Sequence, residues 1–302
     1  MIPLFWPSYS GRELQQEFKK LFPIDGSNRW LGQGDKVKEF ESEFGKKFGY
    51  KNCLGLNSGS AALELAYHLL DLKKGDEVIY PVLTCTASGI PLLRNNIKIV
   101  FADIKKDTFT IDPVDVEKKI NKNTKAILAV TLGGLPIDNK IYELSQQYNI
   151  PLIIDAAQSV GVPETFGDYI CYSFQAIKHF TTGDGGMLIC KDDKDHERAK
   201  KLRWFGIDRE AKIANDWQPY KKREMTMNIE EAGYKFHMND ISATIGLSGL
   251  KHSDEYLKHR KTIADIYTSK LRCKTISGGA NWLYGIMVDN RDHIASVLKD
   301  SG

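Results

Sequence analysis

The feature that most constrains this chain is an alternation. Short apolar runs recur as Glu77-Val78-Ile79-Tyr80, Ile97-Lys98-Ile99-Val100-Phe101, Ala126-Ile127-Leu128-Ala129-Val130, Pro151-Leu152-Ile153-Ile154, Tyr169-Ile170-Cys171-Tyr172 and Gly186-Met187-Leu188-Ile189-Cys190. Runs this short and this apolar read as buried strands. Between several of them lie helical patterns, Ala61 to Leu72, Thr86 to Asn95, Pro113 to Ile120 and Asn139 to Tyr148. Strand and helix in turn predict an α/β fold with a mostly parallel central sheet flanked by helices. From Asn239 the pattern becomes one long charged helix through Leu247, Leu250, Tyr256, His259, Ile263, Ile266, Tyr267 and Leu271, with a last helix from Arg291 to Leu298. The expected organisation is a large domain over residues 1–238, with an N-terminal arm at 1–25, and a small C-terminal domain over 239–302. So few residues make the small domain look incomplete.

Composition excludes several function classes. Among 302 residues, 42% are hydrophobic and 27% charged, enough to close a large core. Lys and Arg number 42 against 39 Asp and Glu, and a net +3 is too small to imply a nucleic-acid or anionic-membrane partner. No apolar run approaches the roughly 18 to 20 residues that span a bilayer, and the first residues lack the basic and apolar regions of a secretory signal. Five scattered cysteines form no CxxC pair, and His68, His196, His252, His259 and His293 share no metal-ligand spacing. A soluble, cytoplasmic protein without a metal site is expected.

In an open parallel sheet, ligands bind beyond the carboxyl ends of the strands. Three loops there carry unusual residues. Asn57-Ser58-Gly59-Ser60-Ala61-Ala62 is a small hydroxyl-bearing turn opening into a helix, where free N–H groups and the helix dipole suit a phosphate; Ser58 or Ser60 acting only as a cap is the plainer reading. Asp155 ends the most apolar strand, where a carboxylate needs a cationic or N–H partner; it suits a protonated heterocyclic nitrogen, or simply caps the next helix. Lys178 sits among apolar and hydroxyl neighbours that lower an amine's pKa and make it nucleophilic, although most lysines merely snorkel to the surface. Together these are the three attachments of pyridoxal phosphate: a phosphate cradle, a ring-nitrogen partner and an amine. A nicotinamide enzyme would need a GxGxxG turn after the first strand, and Gly55 to Ala62 has none.

The chain resembles the DegT/DnrJ/EryC1/StrS family of pyridoxal-phosphate-dependent nucleotide-sugar aminotransferases. The likeness runs through Trp30-Leu31-Gly32-Gln33-Gly34, Phe40-Glu41, Ser58-Gly59-Ser60-Ala61-Ala62-Leu63, Gly75-Asp76-Glu77-Val78-Ile79 and Asp155-Ala156-Ala157-Gln158. It continues through Ser173-Phe174-Gln175 to Gly186, Gly206-Ile207-Asp208-Arg209 and Gly233-Tyr234-Lys235-Phe236-His237-Met238-Asn239-Asp240. The resemblance implies a fold type I, aspartate-aminotransferase-like architecture and a homodimer with shared active sites. By position it implies Lys178 as the Schiff-base lysine and general base, and Asp155 as the ring-nitrogen partner. Gln158 would meet the ring hydroxyl, and Ser58, Gly59, Ser60 and Ser173 the phosphate. Lys235, where many members have Asn, would reach the neighbouring subunit's phosphate. Cys85 stands where an aromatic ring often stacks on the cofactor.

Glutamate is the implied amino donor and a nucleotide-linked ketosugar the acceptor. The Lys178-His179 neighbourhood and the Gly233 to Met238 block look like the subgroup acting at sugar C4, similar to perosamine or viosamine synthases, on a 4-keto-6-deoxy sugar. C3 aminotransferases carry Tyr-Pro-Gly before the lysine and Asn-Ser-Arg after the later glycine; dehydratases of the family replace the lysine with His. A non-catalytic regulatory relative is a further alternative, opposed by the retention of Asp155, Gln158 and Lys178. Trp204, Phe205 and Trp217 are expected to be packing residues, with a substrate channel as the other option, and Lys221-Lys222-Arg223 a solvated loop face, with a sugar-diphosphate contact as the alternative.

Overall fold

The computed structural model describes residues 10–26, 31–162, 164, 166–209 and 229–301. A seven-stranded sheet forms from β1 (Cys53–Leu56), β2 (Glu77–Pro81), β3 (Lys98–Ala102), β4 (Thr124–Val130), β5 (Leu152–Asp155), β6 (Tyr169–Ser173) and β7 (Gly186–Cys190), in the order β1-β7-β6-β5-β4-β2-β3. All of its pairings are parallel except those of β7, which runs against both β1 and β6. The mostly parallel α/β sheet expected from the alternation is therefore present.

Burial on both faces explains the continuous apolar runs. Successive residues on a strand point to opposite faces, and here both faces are covered. Ile79, Ile127, Ile154, Tyr172 and Met187 enter one core cluster, while Val78, Leu128, Ile153, Cys171 and Leu188 enter the other. The first cluster also takes Val37, Phe40 and Phe44 from helix α2 (Asp35–Phe48); the second takes Ala62, Leu65 and Ala66 from α3 (Gly59–Leu69). Neither face can therefore display the polar alternation of a half-exposed sheet. The strand Lys98–Ala102 is the exception to its expected burial, because it forms the sheet edge and leaves Lys98 and Phe101 exposed.

Several of the remaining helices start at side-chain caps. Gly11–Leu21 (α1) starts at Ser10, α5 (Pro113–Lys119) at Asp112, α6 (Asn139–Tyr148) at Asp138 and α7 (Asp193–Leu202) at Asp192, each cap side chain accepting a first-turn N–H. The helix expected over Thr86 to Asn95 is broken into a 3-10 turn at Thr86–Ser88 and a short α4 (Ile90–Arg94), with Gly89 and Pro91 at the break. The single long helix expected after Asn239 is likewise two. Helix α8 (Asp240–Lys251) packs on α1 and α2, the chain turns at His252, and α9 (Ser253–Lys270) follows. Ser253 Oγ donates to the Leu250 carbonyl at 2.8 Å, satisfying a helix-end acceptor that continuation would have used. Two short antiparallel strands, β8 (Thr275–Ile276) and β9 (Gly285–Ile286), precede α10 (Arg291–Asp300). Among the described residues, no helix is long and apolar enough to cross a membrane.

Candidate active site

Parallel strands deliver their carboxyl ends to one side of the sheet, and the antiparallel β7 begins on that same side. In register, Gly186 pairs with Leu56 on one flank and Ser173 on the other, so the turns after β1 and β6 meet at the start of β7. The approach is too close for side chains. A Cβ on Gly186 would lie 2.3 Å from the Ser58 carbonyl oxygen, and one on Gly59 would lie 2.8 Å from Ser173 Cβ. Ser58 Oγ accepts the Ala61 N–H at 3.0 Å, so Ser58 does cap α3. The first-turn N–H groups of Gly59 and Ser60 have no acceptor within the helix, and Ser60 is exposed beside them. Ser173 is buried, its hydroxyl accepting from the Gln175 N–H at 3.4 Å. Ser58, Gly59, Ser60 and Ser173 thus form one cradle.

Asp155 closes β5 between β4 and β6 and is 4% exposed. One carboxylate oxygen accepts the Ser88 hydroxyl at 2.7 Å and the other the Ala157 N–H at 3.1 Å. Burial raises its pKa, opposed first by the Ser88 bond, then by the Ala157 bond and the nearby charge of Lys178. Lys178 is half-buried. Desolvation lowers its pKa, with Asp155 the main opposing charge and Cys85 the next. The two groups that the sequence singled out therefore face each other electrostatically from neighbouring strand ends.

Gln158 lies three residues beyond Asp155, and its Oε1 accepts the Gly133 N–H at 2.6 Å. That bond fixes the side-chain amide so that its NH2 remains a donor for a ligand. Cys85 is exposed on the loop after β2, and its carbonyl accepts the Tyr80 hydroxyl at 3.3 Å. Lys235 is placed differently. Its Nζ sits 3.4 Å from the centre of the Trp204 ring, and its carbonyl accepts from Asn57 Nδ2 at 3.1 Å. Within this chain it flanks the β1 turn and does not join the Lys178–Asp155 pair.

Two groups escaped the sequence reading. Ser88 was hidden inside the expected Thr86 to Asn95 helix, where Gly89-Ile90-Pro91 was the available sign of a break. Trp282 places its ring centre 4.4 Å from Lys178 Nζ and donates its indole N–H to the Ile177 carbonyl at 3.2 Å; no local pattern could have revealed it. Trp204 is neither plain core nor open channel wall, since Lys235, Arg209 and His237 surround its ring. His68 is held between Tyr234 Oη at 2.8 Å and Glu231 at 2.7 Å, away from the strand-end site. Trp217 and Lys221-Lys222-Arg223 lie outside the described residues.

A mostly parallel sheet with a glycine-tight turn, a buried acid and a desolvated amine at its strand ends has the architecture of a fold type I transferase. The chain belongs to the DegT/DnrJ/EryC1/StrS aminotransferase family, whose profile matches residues 12–290. It is 34% identical over 274 residues to the spore coat polysaccharide biosynthesis protein SpsC of Bacillus subtilis, covering 88% of this chain and 68% of that protein. It is 31% identical over 278 residues to the GDP-perosamine synthase of Escherichia coli O157:H7, covering 89% of this chain and 71% of that one. A putative sugar aminotransferase, Spr1654 from Streptococcus pneumoniae in its PMP form, superposes with a TM-score of 0.88 at 27% identity, over 100% of this chain and 84% of that one.

Proposed function

We propose that this aminotransferase moves an amino group from glutamate to C4 of a 4-keto-6-deoxy nucleotide sugar. The observation that carries the reading is that the β5 end with Asp155, the turn after β6 with Lys178 and the Ser58–Ser60 cradle meet on one side of the sheet. The cofactor is pyridoxal phosphate, and the residues fit it. The glycine-tight cradle offers N–H groups and hydroxyls to a phosphate, Lys178 is the cation that acts on the buried Asp155, and Gln158 keeps its NH2 available. When bound, the cofactor supplies an aldehyde for covalent attachment and a ring that accepts electrons.

The chain's own residues do the rest. Asp155, already holding two hydrogen bonds, accepts a third from a protonated ring nitrogen and keeps that proton in place. Lys178 takes the proton from the α-carbon of the amino donor and later delivers one to the sugar carbon that receives the nitrogen; burial favours its neutral, basic form. Position C4 is supported by the relatives that bear the name GDP-perosamine synthase and by one named dTDP-4-dehydro-2,3,6-trideoxy-D-glucose 4-aminotransferase, from Saccharopolyspora spinosa, at 31% identity.

A homodimer completes the reading. Val82, Leu83, Ile90, Leu93 and Phe101 leave an exposed apolar patch around the loop that carries Cys85, suited to burial against a second copy. Lys235 would then serve the neighbouring subunit's phosphate. Purified protein with pyridoxal phosphate should develop a visible band that glutamate bleaches and that Lys178→Ala lacks. A panel of ketosugar nucleotides, with NMR location of the new nitrogen, tests the rest. A band insensitive to glutamate, or amination at C3, would overturn the donor or the position.

A further inference from the structure

Lys178 is met by a ring from a distant part of the chain. The turn between β8 and β9 docks on the segment after β4: the Ala280 and Trp282 N–H groups donate to the Gly134 and Gly133 carbonyls, both at 2.9 Å, and Leu283 N–H adds a bond to Gly133 at 3.2 Å. Gly133 turns with φ +69°, a backbone conformation that suits glycine. On the other side, the buried His179 bonds the Ala280 carbonyl through Nε2 at 3.0 Å. The turn is thus clasped by the loops after β4 and β6.

Within that clasp Trp282 has a defined orientation. An indole has one polar atom, and here it donates to the Ile177 carbonyl at 3.2 Å, the residue just before the lysine. That bond fixes the ring plane and leaves the electron-rich face to Lys178 Nζ at 4.4 Å. Such a face attracts an ammonium and is indifferent to a neutral amine. The charged or titratable groups around Lys178 are Asp155 after β5, Cys85 after β2, His179 next in the chain, and Arg260 on α9 beyond His179. Among the described residues none of these bonds the amine directly, and the Trp282 ring lies against it.

We propose that Trp282 is the positioning residue for Lys178, its ring holding the amine at the reaction centre whenever the lysine is free of covalent attachment and carries a proton. The proposal deepens the functional reading and rests on Lys178 being the reactive amine. Its consequence is an amine that stays aimed through the half of the cycle in which it must hand over protons.

The test uses the full chain freed of cofactor, acetylated briefly with acetic anhydride across a pH series, with Lys178 and the other lysines read by peptide mass spectrometry. Trp282→Leu keeps the site apolar and removes the π face. The pH midpoint for Lys178 labelling should then fall by about half to one unit, because the charged form loses its partner. Trp282→Phe, which keeps a face and loses the N–H, should shift it by less than half as much. Other lysines should keep their profiles. A leucine variant with the wild-type Lys178 profile, or a phenylalanine variant that shifts as far as leucine, overturns the proposal. Should the leucine variant fail to fold, Trp282→Met takes its place. Wild-type chain reloaded with pyridoxal phosphate tests the underlying assignment separately: absence of a band attached at Lys178 would sink that assignment while leaving the labelling result readable.

Discussion

Two lysines in this molecule each rest on a tryptophan, and their surroundings differ. Lys178 lies 4.4 Å from Trp282, half-buried, with the carboxylate of Asp155 as its main opposing charge. Lys235 lies 3.4 Å from Trp204, exposed, with Arg209 as a charged neighbour against the same ring. Burial lowers the pKa of both, but an acid counters it at Lys178 and a second cation adds to it at Lys235. The same pair of residue types thus sits in opposite fields: the acid at Lys178 favours the ammonium that burial opposes, whereas the cation at Lys235 works with burial against it. Neighbouring charge, more than the aromatic contact, separates the two sites.

The comparison can be broken by substitution. Lys178→Ala should lower turnover by at least about a thousandfold, since on the proposed assignment it removes both nucleophile and base; Lys235→Ala should leave the visible cofactor band in place. Loss of the band in both would erase the distinction. Asp155→Asn should cost about a hundredfold in turnover, measured with saturating cofactor, by weakening the hold on the ring-nitrogen proton. It has an opposite effect on stability. Burial raises the carboxyl above its ordinary value of 3.8, so the folded chain holds that proton more tightly than the unfolded one, and stability falls as pH rises from there through the raised value. Cofactor-free Asp155→Asn should accordingly melt a few degrees higher than wild type at neutral pH, with the gap closing below about pH 4. A lower melting temperature at neutral pH would show that the carboxylate is better solvated than its burial implies.

Smaller effects sharpen the contrast. Ser88→Ala removes the 2.7 Å hydroxyl bond to Asp155 and should slow turnover by about tenfold, the worth of one hydrogen bond to a charged group. Lys235→Met should weaken retention of the cofactor's phosphate by only a few fold in equilibrium dialysis, and less at high salt, as expected of an exposed charge. A loss at Lys235 that salt does not diminish would mean that it is no simple electrostatic contact.

Much of the scaffold was legible because double-sided burial writes itself as continuous apolar runs, and Gly186–Cys190 and Asn139–Tyr148 have the bounds their patterns suggest. Strand β1 was missed since Cys53-Leu54-Gly55-Leu56 is only four residues long and contains a glycine. The turn at His252 carries neither Pro nor Gly, so the helical period runs straight through it. Ser58, Asp155 and Lys178 could be read because each follows a strand or opens a helix. Gln158 came by resemblance, and its bond to Gly133 was invisible. Ser88 and Trp282 act through contacts 67 and 105 residues away in the chain, which no local pattern encodes.

The lone reversed strand has a further consequence. Because β7 runs back along β6, the segment 174–185 that bears Lys178 leaves and re-enters the sheet at the same end, while every parallel step elsewhere must travel the sheet's full length to return. Its two feet, Ser173 and Gly186, are paired in register, and Gly186 also abuts Ser58. Lengthening this segment would leave the sheet's pairing intact yet loosen the amine relative to the cradle. Chain length here would thus set the position of the amine, independently of the framework.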